Sequence, residues 1–94
     1  METTQQTNKE DLRKAFIGNK LTDCYIQKYR NTEEIKKAQR EHKPRILNNL
    51  IRYEELLNRR IERLKNNVLL PEEEFILNLE IEERLTRINR LHIY

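Results

Sequence analysis

The chain has 94 residues, of which 36% are hydrophobic and 37% are charged, and its formal net charge is +3. This length allows one small domain, and the low hydrophobic share excludes a large buried core. One glycine, two prolines and no tryptophan favour long helices over sheets and tight turns.

The basic excess is mild and lies in residues 1–44, which hold ten Lys or Arg against seven Asp or Glu. Cys24 is the single cysteine, so it has no partner for an intramolecular disulfide, and this fits a reducing compartment. The first residues contain no apolar segment typical of a secretion signal. No run approaches the roughly 18 apolar residues of a membrane span. We therefore expect a soluble intracellular protein, cytoplasmic by default.

The first third of the chain predicts a polar start and a short helix. Residues 1–7 are polar, and we expect them to be disordered. Asn8 is a suitable N-cap for a helix over residues 8–17. Gly18 follows the last apolar residue of that segment, at the place where a helix often ends in a left-handed residue.

A second helix is predicted over residues 22–42, with Thr22 as its N-cap. Its apolar stripe is thin, and Thr32 offers an alternative start for a new segment within it. Pro44 disfavours helical geometry in the residue before it and removes a backbone donor. Either a new helix begins at Pro44 or one long helix kinks there, and we favour the break.

Residues 45–67 carry the clearest helical pattern in the chain. Their apolar residues, with one polar exception, are spaced alternately by three and four residues, as in a helix that packs along a seam. Those seam positions are Leu47, Leu50, Glu54, Leu57, Ile61, Leu64 and Val68. Glu54 is the polar exception, either setting the register or meeting an arginine of another helix or chain.

A last helix is predicted over residues 71–92, because Pro71 and three glutamates precede its apolar part and basic residues follow. Residues 75–82 also alternate as a strand would. We favour the helix because Glu80–Arg84 and Glu83–Arg87 have helical ion-pair spacing. The short connection predicts that this helix runs antiparallel to residues 45–67 and packs on them.

Together these patterns predict an all-α fold, either a small helical bundle or a long helical hairpin with coiled-coil-like packing. Residues 8–94 would form one domain with a short N-terminal helix and up to three longer ones. Since small domains bury a modest share of their surface, this one is expected to gain stability from a partner or from its own copy.

No motif indicates catalysis, a metal site, a cofactor or a small-molecule substrate. His42 and His92 have no histidine or cysteine at helical ligand spacing, and zinc needs several ligands. Cys24 has no nearby histidine and is interpreted as a buried structural thiol. Most carboxylates have a basic residue at helical spacing, which is typical of a solvated surface. We expect a protein that is not an enzyme.

The last predicted helix is apolar around most of its circumference, so we expect it to be covered on more than one side. One side is predicted to pack within the chain, through a stripe of Leu77, Ile81, Leu85 and Ile88. A second side is predicted to contact the N-terminal helix or another chain, with another chain preferred. The residues assigned to this partner-binding face are Phe75, Ile76 and Leu79, together with Leu56 on the preceding helix.

Two basic rows are candidate phosphate contacts. They are Lys36, Arg40 and Lys43 in the first row, and Arg52, Arg59 and Arg63 in the second. The sequence therefore leaves two functional hypotheses from different classes. The favoured one is a non-catalytic interaction protein, which is a subunit, adaptor or inhibitor that docks on another protein or on its own copy. The other is a basic helical protein that binds nucleic acid or the ribosome.

Overall fold

The structure is a computed structural model that describes the backbone of residues 2–93 and the side chains of residues 9–87. Three helices make up the fold: α1 (Glu2–Arg40), α2 (Pro44–Lys65) and α3 (Pro71–Ile93). Residues 2–93 contain no strand. The all-α prediction is thus confirmed, and the strand alternative for residues 75–82 is wrong.

The first helix is continuous where the sequence predicted disorder and a break. Residues 2–7, expected to be disordered, form its first turns, and the helix continues without interruption through Gly18. The predicted helices 8–17 and 22–42 are therefore one helix. Gly18 has no positive φ. A single glycine costs a helix only about 1 kcal/mol relative to alanine, and neighbouring Lys, Ala, Leu and Gln residues favour the helix.

The break predicted at Pro44 is present. α1 closes with two backbone bonds, from the His42 amide to the Gln39 carbonyl (3.3 Å) and from the Lys43 amide to the Ala38 carbonyl (3.0 Å). With φ of 54° at His42, this is a Schellman motif in which a histidine takes the position that glycine usually fills. Pro44 then begins α2, where a missing amide proton costs nothing.

The connection from α2 to α3 is built from a second helix cap of the same kind. Asn67 has φ of 61°, and the Val68 amide donates to the Arg63 carbonyl over 3.1 Å. Pro71 then begins α3, as predicted. The Glu73 carboxylate accepts a bond of 2.8 Å from the Leu70 amide, which is one half of a capping box.

The helices form two compact units, and the first comprises residues 19–68. Here α1 and α2 pack along a seam. α2 contributes three buried positions of the predicted seam, which are Leu57, Ile61 and Leu64. α1 contributes Cys24, Asn31 and Ala38, which are buried and spaced by seven residues. This is coiled-coil-like packing, and it confirms which side of α2 is buried.

The second unit combines α1 up to Gly18 with the chain from Leu69 onward. Its buried apolar residues are Phe16 and Ile17 of α1, Leu69 before α3, and Leu77 within α3. Arg13 donates two hydrogen bonds to the Glu74 carboxylate, of 2.8 and 3.0 Å. α1 is thus a packing partner in each unit, which the sequence did not predict. The predicted packing of residues 71–92 on residues 45–67 and the single domain over residues 8–94 stay predictions. Hydrophobic periodicity reports which side of a helix is buried, but not against which element.

Candidate docking faces

The predicted partner-binding residues of α3 lie on the side of the helix that faces solvent. Leu77 is 2% exposed and marks the packed side, whereas Phe75 is 63% and Leu79 is 50% exposed. At about 100° per residue, Phe75 and Leu79 point roughly opposite to the packed side, with Ile76 beside them. We call Phe75, Ile76 and Leu79 the α3 outer face. The predicted contact of this face with the N-terminal helix or another chain stays a prediction.

The remaining stripe on α3 agrees with the pattern as far as it is described. Ile81 and Leu85 are half-buried on the same side as Leu77. Ile88, the last member of that predicted stripe, lies outside the described side chains. The two sides of α3 therefore differ clearly in burial.

Leu56, the fourth predicted partner-binding residue, belongs to a different helix surface. It is 59% exposed on α2, on the side away from the buried seam. Its neighbours at three and four residues along the helix are Arg52, Tyr53, Arg59 and Arg60. We call Leu56 with Arg52, Arg59 and Arg60 the α2 arginine face.

The first predicted basic row does not form one helical face. Lys36 and Arg40 lie one turn apart on α1, but Lys43 lies beyond the helix end, after the reversal at His42. Lys36 pairs with Glu33 over 3.4 Å, and Lys43 pairs with Glu41 over 2.9 Å. Lys43 therefore lies off the face that Lys36 and Arg40 share, and the assignment of these residues to phosphate contacts stays a prediction.

The second predicted row lies on α2 as expected, with one difference in role. Arg52 and Arg59 are exposed, and so is Arg60, which the sequence reasoning did not include. Among the described residues, no carboxylate pairs with these three arginines. Glu55 and Arg59 have helical ion-pair spacing but form no pair. Arg63 instead donates a bond of 3.0 Å to the Val68 carbonyl and so supports the end of α2.

The turn between α1 and α2 holds an open cleft of about 430 Å³. Its lining combines apolar groups with the side chains of the turn: Ala38, Gln39, His42, Lys43, Pro44 and Leu47. Nearby, the hydrogen bond from Lys43 lowers the pKa of the Glu41 carboxyl, and the positive charges of Lys43, Lys37 and Arg40 act in the same direction.

Large apolar side chains are exposed on both units. Within the described part of the chain they are Tyr25, Ile26, Tyr29, Ile46, Ile51, Tyr53, Leu56, Val68, Leu70, Phe75, Ile76 and Leu79. The thin apolar stripe predicted for residues 22–42 consists of Tyr25, Ile26, Tyr29, Ile35 and Ala38. Ala38 is buried and Ile35 is half-buried, but Tyr25, Ile26 and Tyr29 are exposed. The buried positions are Cys24, Asn31 and Ala38, a seven-residue repeat that the polar Asn31 concealed.

Metal binding and membrane crossing are two further properties on which the described residues bear. Cys24 is buried, as predicted, and His42 is exposed at the end of α1, while the His92 side chain lies outside the described part. No group of three or more His, Cys, Asp or Glu side chains that could hold a metal occurs within residues 9–87. None of the helices, over their described residues, combines the length and apolar character needed to cross a membrane.

Comparison with known proteins found no match: no family model, no curated protein and no solved structure corresponds to this chain. The candidate function therefore rests on the helix surfaces themselves.

Proposed function

We propose that this chain is a non-catalytic interaction protein that docks through exposed apolar helix surfaces, as a subunit, adaptor or inhibitor in an assembly. The observation that carries the proposal is the α3 outer face. A helix with apolar groups on two sides is typical of a helix buried on two sides, and among the described side chains of α3 the buried apolar side is the one that includes Leu77. Phe75 and Leu79 have the i, i+4 spacing of anchor residues in helix-in-groove recognition.

The energy available from this face sets a condition on the partner. Fully burying a Phe, Ile or Leu side chain contributes about 1.5–3 kcal/mol. The three residues of the α3 outer face are about half exposed, so covering them contributes on the order of 2–5 kcal/mol. Association costs about 4–15 kcal/mol of lost freedom. A stable complex must therefore also engage the charged groups around the face or a second surface of this chain.

The experiment is site-specific photo-crosslinking in living cells that produce the full chain. A photoreactive amino acid replaces Leu79 in one variant and Glu34, an exposed residue of α1, in a control variant. The proposal predicts a discrete cross-linked product, larger than the chain, from position 79 and a weaker or diffuse one from position 34. Equal background from both positions would contradict it.

A second candidate function is binding to nucleic acid, and it is supported by the α2 arginine face. Exposed arginines along one side of a helix can neutralise successive phosphates, and such binding weakens steeply with salt. Two features of the α2 arginine face weaken the support for nucleic-acid binding. Glu55 and Glu62 are exposed beside this face, and Leu56 at its centre gains nothing from a phosphate backbone. Titration of a fluorescent RNA or DNA duplex at several salt concentrations measures this activity directly.

A further inference from the structure

The surroundings of the α3 outer face carry exposed carboxylates. Of the six glutamates in residues 71–83, Glu73 is buried and Glu74 pairs with Arg13, while Glu72, Glu80, Glu82 and Glu83 are exposed. The neighbours of Leu79 at three and four residues are Phe75, Ile76, Glu82 and Glu83, and both glutamates are exposed. Glu83 shares an exposed ion pair of 2.6 Å with Arg87. This face thus presents an apolar centre with carboxylates along its edge, and it fits a surface with an apolar centre and positive edges.

The α2 arginine face has the opposite arrangement. Leu56 stands at its centre, and three of its four helical neighbours are arginines that pair with no carboxylate among the described residues. Tyr53, the fourth neighbour, donates a hydrogen bond of 3.0 Å to Gln27 of α1. Arginine is suited to this role because its planar guanidinium binds carboxylates in a two-pronged geometry.

We infer that the chain associates with itself, the α3 outer face of one copy docking on the α2 arginine face of a second copy. The inference rests on the proposed function and names its partner. Every copy carries both surfaces, so Leu79 meets Leu56 while Glu82 and Glu83 meet Arg59 and Arg60. Opposite charges across such a contact favour the correct encounter and disfavour like-charged alternatives.

A second copy explains more of the α2 arginine face than a nucleic acid does. A phosphate backbone would use the arginines and leave Leu56 in contact with water or sugar. The α3 outer face supplies carboxylates for the arginines and an apolar side chain for Leu56. The same contact also supplies the charge pairing that the α3 outer face requires for a stable complex.

The test is sedimentation of the full-length purified protein over a concentration series, with two charge-reversal variants. Glu82→Arg with Glu83→Arg makes the α3 edge basic, and Arg59→Glu with Arg60→Glu makes the α2 edge acidic. All four residues are exposed, so circular dichroism is expected to show an unchanged fold. The wild type is expected to form dimers or larger species, and each variant alone to dissociate with a dissociation constant raised at least about tenfold.

The decisive sample is an equimolar mixture of the two variants. In the mixture, the basic α3 edge of the first variant meets the acidic α2 edge of the second. The unchanged acidic α3 edge of the second variant meets the unchanged basic α2 edge of the first. Each contact between unlike variants thus joins opposite charges, so the mixture is expected to associate again as the wild type does. The control is Glu33→Arg with Glu34→Arg on α1, which raises the net charge by the same amount as the Glu82 and Glu83 variant but on another surface, and it is expected to associate normally. If a charge-reversal variant loses helicity, the neutral pair Glu82→Gln with Glu83→Gln replaces it and is expected to weaken association by a smaller factor.

Any one of three results would overturn the inference: sedimentation of the wild type as a monomer at every concentration, dissociation of the control as in the two variants, or failure of the mixture to reassociate. Salt-sensitive binding of an RNA or DNA duplex by a monomeric wild type, lost with Arg59→Glu and Arg60→Glu, would instead assign the α2 arginine face to phosphate. The proposed function is tested separately from this inference. If the pure protein is a monomer but position 79 still cross-links to a different protein in cells, the docking function stands and only the second copy is excluded as the partner.

Discussion

The side-chain amide of Asn31 donates a hydrogen bond to the backbone carbonyl of Leu50, with 2.9 Å between the nitrogen and the oxygen. Asn31 lies in the middle of the α1 seam and is only 4% exposed, whereas Leu50 lies on the facing side of α2. A buried asparagine with one available partner fixes the register of two packed helices, because a shift along the seam leaves its amide without an acceptor.

Asn31→Ala is expected to lower the free energy of unfolding by about 1–2 kcal/mol, as measured by urea denaturation. The loss is limited because the Leu50 carbonyl, inside a helix, still accepts a backbone bond from four residues further on. The matched control is Tyr53→Phe, which removes the exposed hydrogen bond to Gln27 and is expected to cost clearly less. Equal losses in both variants would mean that Asn31 has no special role in the seam.

The seam of α2 provides a second prediction. Leu57→Ala and Ile61→Ala are each expected to cost about 2–5 kcal/mol of stability, because both side chains are buried against α1. Leu56→Ala removes the same group as Leu57→Ala from the adjacent, exposed position and is expected to cost less than about 1 kcal/mol in dilute protein. Similar losses of stability at positions 56 and 57 would mean that the buried side of α2 is assigned wrongly.

The sequence predicted the helical fold class, the two later helices and the buried side of α2 because these depend on local spacing. Leu57, Ile61 and Leu64 show their periodicity without any knowledge of the partner helix. The partner itself depends on how distant segments meet. Asn31 reads as an interruption of an apolar stripe until Leu50, 19 residues away, supplies its acceptor. The exposure of the α3 outer face followed from an apolar pattern too wide for one packed side, while the α2 arginine face required knowing where α2 is covered.

The uninterrupted course of α1 makes Gly18 a site for stabilisation. A methyl group added there meets no atom within 4 Å, and the residue has no positive φ. Gly18→Ala is therefore expected to raise the free energy of unfolding by about 0.5–1 kcal/mol, through a smaller loss of backbone entropy on folding. Thermal melting followed by circular dichroism measures the gain, and a lower melting temperature would indicate that α1 is not helical at this residue.

The C-terminal cap of α1 predicts a further gain in stability, here from the introduction of a glycine. His42 takes a left-handed conformation with φ of 54°, which costs a residue with a β-carbon about 1–2 kcal/mol. His42→Gly removes that cost, and after the larger entropy of the unfolded glycine is subtracted the net gain is expected to be about 0.5–1 kcal/mol. Gln39→Gly, three residues earlier inside α1, is the control and is expected to destabilise by about 1 kcal/mol.

The central claim is that the α3 outer face serves docking and is dispensable for folding. The measurement that tests it most directly is the yield of photo-crosslinking from position 76, in cells, with and without Leu79→Ser. The account predicts that the substitution removes the cross-linked product while changing the free energy of unfolding of the pure protein by less than about 0.5 kcal/mol. An undiminished product, or a loss of stability as large as that of a buried leucine, would contradict it.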